Sequence, residues 1–302
     1  GANSPPGEIY LPPESVSRSE LDRMAAELHL PVRPLGEAPH GSAYKVHQLR
    51  TGLFKPWRAS MDEGWTRWLL EQYEFPFVNL SNSDVRSGKG LGDIDVLLLP
   101  DLETSIIVKG ERDESSGGRS TPPLPPPYDG GIGEEGREKI KDWVLKEGGT
   151  IVALDSSADF VIDLLDLPVK NIMEGVEEDR FLCPGSMLRL LVDPTQPLAY
   201  GMRREEAGYF AASPAFSTRI PDGRFNRRVV AWYPQDRRDI LLSGYILGAD
   251  LLERRAAVVE LEAGDGRIIL IGFRAQHRAQ PVRTFKLLFN ALYRSGLEKS
   301  EL

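Results

Sequence analysis

YDGGIGEEGREKIKDWVLKEGGTIVALDSSADFVIDLLDL, residues Tyr128–Leu167, is the stretch whose reading decides the fold. It runs as glycine-rich loop, amphipathic helix, buried strand, sharp turn and second helix. Ile140, Trp143 and Val144 fall on one face at helical spacing. Gly148-Gly149 stops that helix, because glycine enters the left-handed C-terminal conformation without a Cβ penalty. Thr150–Leu154 is short, β-branched and apolar, the pattern of a strand covered on both faces. Asp155-Ser156-Ser157 turns the chain into the next helix, which either serine would cap through its hydroxyl. In an open α/β sheet such a turn lies at the carboxyl edge, where ligands bind.

Outward from this stretch the alternation continues. Leu49–Phe54, Phe75–Leu80 and Ile94–Leu99 read as strands. Between the first two, Ser60-Met61-Asp62-Glu63 has the form of a capping box, and the helix behind it is read with Trp65, Trp68, Leu69 and Tyr73 on one side. Strand, helix, strand predicts a parallel sheet in which 49–54, 94–99 and 150–154 are neighbours. Ala256–Leu261 and Arg267–Gly272 form a hairpin signalled by Asp265-Gly266. A last helix starts near Pro281 with Val282, Phe285, Phe289 and Leu292 on one face and stops near Gly296. The fold class expected is α/β and flavodoxin-like, a parallel sheet with helices on both faces and a β-rich insertion.

The domain plan has two parts. Residues 1–45 are an N-terminal arm, or the tail of a preceding domain, with one helix around Leu21, Met24, Ala25 and Leu28 started by Ser17 or Ser19. Residues 46–302 are the α/β domain, interrupted by a long loop at 102–128 and an irregular, β-containing insertion at 170–255. The loop, with GERDESSGGRSTPPLPPP at its centre, reads as a surface excursion first and an active-site lid second.

Composition removes several classes of function. A net charge of −8 lacks the basic face of a nucleic-acid binder. No apolar run reaches the roughly 18–20 residues that cross a bilayer. A single cysteine, Cys183, forbids an internal disulfide and a cysteine-based zinc cage, and reads as a small buried residue. The opening GANSPPGE reads as a short remnant joined to an interior segment, which leaves the compartment open on physical grounds.

Tyr128–Leu167 resembles the region around the nucleophile elbow of class I glutamine amidotransferase-like domains. That family places a cysteine at the elbow with glycine soon after; here the positions read Leu154-Asp155-Ser156-Ser157-Ala158. A wider resemblance covers most of residues 46–296. Gly52–Tyr73 (GLFKPW and ASMDEGWTRWLLEQY on either side of Arg58), Asp95–Asp101 (DVLLLPD), Pro184–Leu188 (PGS and L on either side of Met187) and Gly272–Tyr293, with GFRAQHRAQ and TFKLLFNALY, are similar to the C-terminal region of bacterial carboxypeptidase A-like zinc peptidases. In those proteins a degenerate amidotransferase-like domain follows the peptidase domain. Their zinc site needs His-x-x-Glu, and the histidines here begin HLPV, HGSA, HQLR and HRAQ. The resemblance therefore implies an accessory domain, not catalytic by itself and carrying neither metal nor cofactor. It also implies an upstream peptidase domain as partner and an extracytoplasmic location; composition, as above, argues for no nucleic-acid and no membrane partner. Oligomeric state is left open.

Several residues remain as candidates for chemistry. Ser156 or Ser157 would be a nucleophile, His277 its base and Glu63 the group that orients the base, which gives the rival reading of a serine hydrolase or amidohydrolase. Against it, the glycine-flanked elbow is absent and Asp155 would place negative charge near an oxyanion. The bland alternative is a capping serine and a histidine held among Arg274, Arg278 and Arg283. Arg274 and Arg278, with Asp155, are ligand-binding candidates, and Arg283 and Lys286 add to the basic cluster. Its alternative is a salt-bridge set facing Asp62, Glu63 or Asp101. Gly131–Gly136 formally matches G-x-G-x-x-G, but a proline run precedes it and the two glutamates inside it, Glu134 and Glu135, would repel phosphate. Trp57, Trp65 and Trp68 read as core.

Overall fold

The structure is a computed structural model that describes residues 8–110, 124–220 and 223–301. In chain order the elements are α1 (Arg18–Glu27), β1 (Ser42–Val46), β2 (Thr51–Phe54), α2 (Met61–Gln72), β3 (Phe77–Leu80), α3 (Asn82–Ser87), α4 (Lys89–Gly92), β4 (Val96–Leu99) and α5 (Thr104–Lys109). They continue with α6 (Gly133–Glu147), β5 (Thr150–Leu154), α7 (Ser157–Leu165), β6 (Val169–Asn171), β7 (Ser186–Val192), β8 (Glu205–Phe210), β9 (Phe216–Thr218) and β10 (Phe225–Trp232). β11 (Leu241–Ser243), β12 (Ala256–Ala263), β13 (Gly266–Ile271), α8 (Phe285–Tyr293) and β14 (Leu297–Glu301) complete the chain.

Five strands are parallel, in the spatial order β3-β2-β4-β5-β13. Numbered along the chain this is 2-1-3-4-5, the flavodoxin-like order, whose switch point lies between β2 and β4. Alternation along each strand feeds two cores. Val96, Leu98, Val152, Leu154, Ile269 and Ile271 pack with Leu69 and Leu70 of α2 and Phe285 and Leu288 of α8. Leu97, Leu99, Ile151, Ala153, Ile268 and Leu270 pack instead with Val85, Ile107, Ile140, Trp143 and Phe160 of α3 and α5–α7. A strand period of two sends successive side chains to opposite faces, so each buried strand serves both layers.

The insertion is more regular than its sequence. β12 runs antiparallel to β13, and β10, β7 and β11 extend the sheet from it. The β12–β13 turn is Gly264-Asp265, with Ala263 opposite Gly266, so the hairpin signal was displaced by one residue. Gly264 takes φ +56° there, which glycine does without strain.

Other local readings also need correction. The start of the 102–128 loop is α5, with Ile106 and Ile107 buried; the surface-excursion and lid readings fall largely on residues 111–123, outside the described residues. α2 buries Asp62, Glu63, Thr66, Leu69 and Leu70, while Trp68 and Tyr73 stay exposed. Trp57 is 55% exposed and Trp68 41%, so neither is core. Val282 is exposed and precedes α8 in a 3-10 turn. After Gly296 the chain adds β14, antiparallel to β1, a ladder the sequence did not announce. α1 starts at a Ser17 cap and buries none of its residues.

Candidate functional site

The carboxyl ends of β2, β4, β5 and β13 deliver one interlocked cluster. Asp62 opens α2 after β2, Asp101 follows β4, Asp155 follows β5 and Arg274 follows β13. Arg274 Nη1 donates to Asp62 Oδ2 at 2.9 Å, and its Nη2 pairs with Asp101 Oδ2 at 2.8 Å. Its Nε stands 3.7 Å from Asp155 Oδ2. The insertion contributes Ser213, whose hydroxyl donates to Asp155 Oδ2.

Asp155 is the residue at the elbow. Its φ is +52°, a left-handed conformation, and the next residue, Ser156, is the N-cap of α7. The sharp strand-to-helix turn expected from the sequence is therefore present, and without a flanking glycine; aspartate is among the residues that tolerate this region. Only 1% of Asp155 is exposed. Burial, and next the charge of Asp101, push its carboxyl up to about 8 despite the Ser213 hydrogen bond and Arg274. Burial likewise raises Asp62.

Ser156 holds the N-cap position of α7, but neither serine hydroxyl makes a capping hydrogen bond. The Ser156 N–H donates to Asp101 Oδ1 at 3.2 Å, and its hydroxyl leans on Asp155 Oδ1 at 3.4 Å. Ser157 is fully buried; its hydroxyl donates to the Pro100 carbonyl and accepts the Leu102 N–H at 3.1 Å. It ties the β4 exit to the start of α7. A serine engaged on both sides in this way is a structural pin and not a nucleophile.

His277 lies flat on Tyr209, ring centroids 3.9 Å apart at 14°. Burial, then Arg274 and Arg278, lower its pKa, so the ring is neutral at pH 7. Glu63 turns to Arg67 on its own helix. Ser60 accepts the Glu63 N–H at 3.1 Å, so the capping box forms by its serine half while the glutamate serves Arg67. The hydrolase triad is thus divided, with Glu63 engaged elsewhere and Ser157 pinned.

The basic cluster also disperses. Arg283 pairs with Glu206 at 2.6 Å, Lys286 donates to the Gly201 carbonyl at 2.6 Å, and Arg274 is surrounded by carboxylates. Arg278 alone of the four is exposed with no hydrogen bond or ion pair among the described residues. A carboxylate or phosphate ligand would find Arg274 already taken.

The G-x-G-x-x-G segment closes against α5. Ile132 N–H donates to the Ile107 carbonyl at 2.9 Å, and a Cβ on Gly131 would stand 2.3 Å from the Val108 carbonyl oxygen. This is packing of backbone on backbone, and no phosphate cradle is formed. Cys183 is buried, its thiol 3.8 Å from the Phe210 carbonyl oxygen. Among the described residues no group of three or more His, Cys, Asp or Glu side chains could hold a metal ion, and no helix is long and apolar enough to cross a membrane. A shallow depression of about 720 Å³ on the insertion is lined by Arg189, Glu205, Asp236 and Arg237, whose charges are largely paired locally.

Sequence reasoning had placed Asp62 and Asp101 only as possible partners of the arginines, and it missed Ser213, Tyr209 and Gln276. Ser213 and Tyr209 come from the insertion, 58 positions from Asp155 in the first case, and no local pattern marks such a contact.

No protein-family model matches the sequence, and no curated protein does. Solved structures are similar in the course of the chain. A protein described as ThuA-like from Bacteroides uniformis is 10% identical, with 88% of this chain and 95% of that one covered, TM-score 0.46. A glutamine amidotransferase from Thermotoga maritima is 10% identical, with 83% and 99% covered, TM-score 0.46. A β-galactosidase from Bacillus circulans is 10% identical, with 82% of this chain but 31% of that one covered, TM-score 0.46.

Proposed function

We propose that this chain is a non-catalytic, ligand-binding accessory domain of the amidotransferase-like kind, and that in the native protein it stands beside a zinc carboxypeptidase-like domain outside the cytoplasm. The observation that carries the first half is Asp155. The position where such a fold presents its nucleophile holds a carboxyl that is 1% exposed and bonded inward to Ser213. The Ser156 N–H beyond it, where an oxyanion donor would be sought, already donates to Asp101. An oxyanion forming there would face the Asp101 carboxylate at close range, which is the reverse of electrostatic stabilisation. The second half rests on the strings quoted from Gly52–Tyr73 and Gly272–Tyr293.

The test of the first half is covalent labelling. A fluorophosphonate probe is expected to leave Ser156 and Ser157 unmodified by peptide mass spectrometry, and glutamine and p-nitrophenyl acetate are expected to turn over no faster than in buffer. Labelling of Ser156, abolished by Ser156→Ala and by His277→Ala, would establish the hydrolase instead. For the second half, the full reading frame is expected to encode His-x-x-Glu upstream and a secretion signal; a frame without them removes the peptidase association.

A further inference from the structure

The Arg274 cluster is short of positive charge and rich in unused acceptors. Asp62, Asp101 and Asp155 surround one guanidinium. A proton on Asp155 still leaves two carboxylates against Arg274. His277 adds no charge when neutral, and Arg278 reaches the cluster only from the exposed side.

Two buried acceptor atoms in the same place have no partner. Asp62 is 5% exposed; its Oδ2 takes Arg274 and its Oδ1 takes nothing. Gln276 is 1% exposed; its Nε2 donates to Thr66 Oγ1 at 2.9 Å and its Oε1 takes nothing. Thr66 links Gln276 to the start of α2, since its hydroxyl accepts from Gln276 and donates to the main-chain carbonyl of Asp62 at 2.6 Å. In the next residue His277 Nδ1 is also buried without a partner. Leaving a buried polar atom unpaired costs about 1–3 kcal/mol, and a set of them in one cluster identifies the kind of group that would complete it.

We propose that the start of α2 and the segment Arg274–His277 form a binding site for a primary ammonium group, with Asp62 Oδ1 and Gln276 Oε1 as its acceptors. The inference rests on the ligand-binding reading above and names its ligand class. An ammonium group supplies what is lacking, one positive charge and several N–H donors. An anionic group supplies neither and would meet Asp62 and Asp101. A metal ion is disfavoured by the absence of a suitable donor set among the described residues. The site lies at the carboxyl edge, beside the β2/β4 switch point where open α/β sheets take their ligands.

The experiment uses the full chain with methylammonium chloride as probe, against sodium, potassium and tetramethylammonium chlorides at equal ionic strength. A ligand that binds only the folded state raises its melting temperature by mass action, roughly 3 °C at ten times its dissociation constant for a chain of this size. Methylammonium is expected to give that saturable increment and the other three cations are not. Asp62→Asn and Gln276→Leu are each expected to abolish it, whatever they do to the baseline in sodium chloride. An equal response to all cations, a response greatest for potassium, no increment at all, or an increment retained in both variants would each overturn the proposal. The comparison of salts on the unmodified chain stands even if a variant fails to fold. Probe labelling at Ser156 with the increment retained would remove the accessory reading and keep the site; no labelling and no increment would do the reverse.

Discussion

At Asp155 a left-handed backbone, full burial and a crowd of like charges meet in one residue. The residue is held there by its surroundings, since the fold needs a sharp turn from β5 into α7 and Ser213 and Arg274 receive the carboxyl. The cost depends on pH. The folded-state pKa lies near 8, above the ordinary value of about 3.9 for an unfolded aspartate. The folded state therefore keeps a proton that the unfolded state gives up, and its advantage is complete below pH 4 and lost as pH rises to about 8. Asparagine keeps the shape of the protonated side chain and cannot ionise. Asp155→Asn is expected to lose stability less steeply than the unmodified chain between pH 5 and 8.5, in urea titrations at fixed salt. Parallel curves would mean that Asp155 is ionised throughout.

Among the elements, β12, β13 and the end of α8 are locked by a second charged group, at residues the sequence did not mark as a site. Glu260 of β12 has no exposed surface; it meets Arg267 of β13 and, at 2.8 Å, Arg294 just beyond α8. Glu262 joins Arg267 and Arg228 at 3.1 Å each. Burial lowers Arg294, the sign of a cation that depends on its partner. Removing one member of a buried pair strands the other, at a cost of about 3–5 kcal/mol. Glu260→Gln is expected to lower unfolding stability by that amount without changing the fold, as read from urea midpoints. A loss under about 1 kcal/mol would place this network among surface pairs.

For the whole molecule, the contrast is between a sheet with a core on each face and an arm with no core at all. α1 buries nothing, and Ile9, Leu28 and Leu30 are more than half exposed. Arg33 pairs with Glu8 at 3.0 Å within the arm, and Tyr200 of the domain donates to the Glu8 carbonyl. Exposed contacts of this kind contribute little. A chain lacking residues 8–40 is expected to unfold within about 0.5 kcal/mol of the full chain. A larger drop in the urea midpoint, at unchanged slope, would show that the arm braces the domain.

The sequence by itself determined the parallel sheet. Thr150–Leu154, Ile94–Leu99 and Leu49–Phe54 are apolar runs separated by crossover segments, and such runs become adjacent parallel strands through local, right-handed connections; the structure aligns β2, β4 and β5 in that order. It also determined the end of α6 at Gly148, where φ is +79°. Helix faces were less legible: Trp65, Trp68 and Tyr73 hold the more apolar side of α2, yet the buried side carries Asp62 and Thr66 because Arg274 and Gln276 meet them there. Only the tertiary structure decided the chemistry of the site. That Arg274 is consumed by Asp62 and Asp101, that Ser157 pins a loop, and that Asp155 is the elbow residue all depend on side chains brought together from 55 to 212 positions apart. Local pattern reports backbone preference and burial, and it carries no record of which distant charge a buried group will meet.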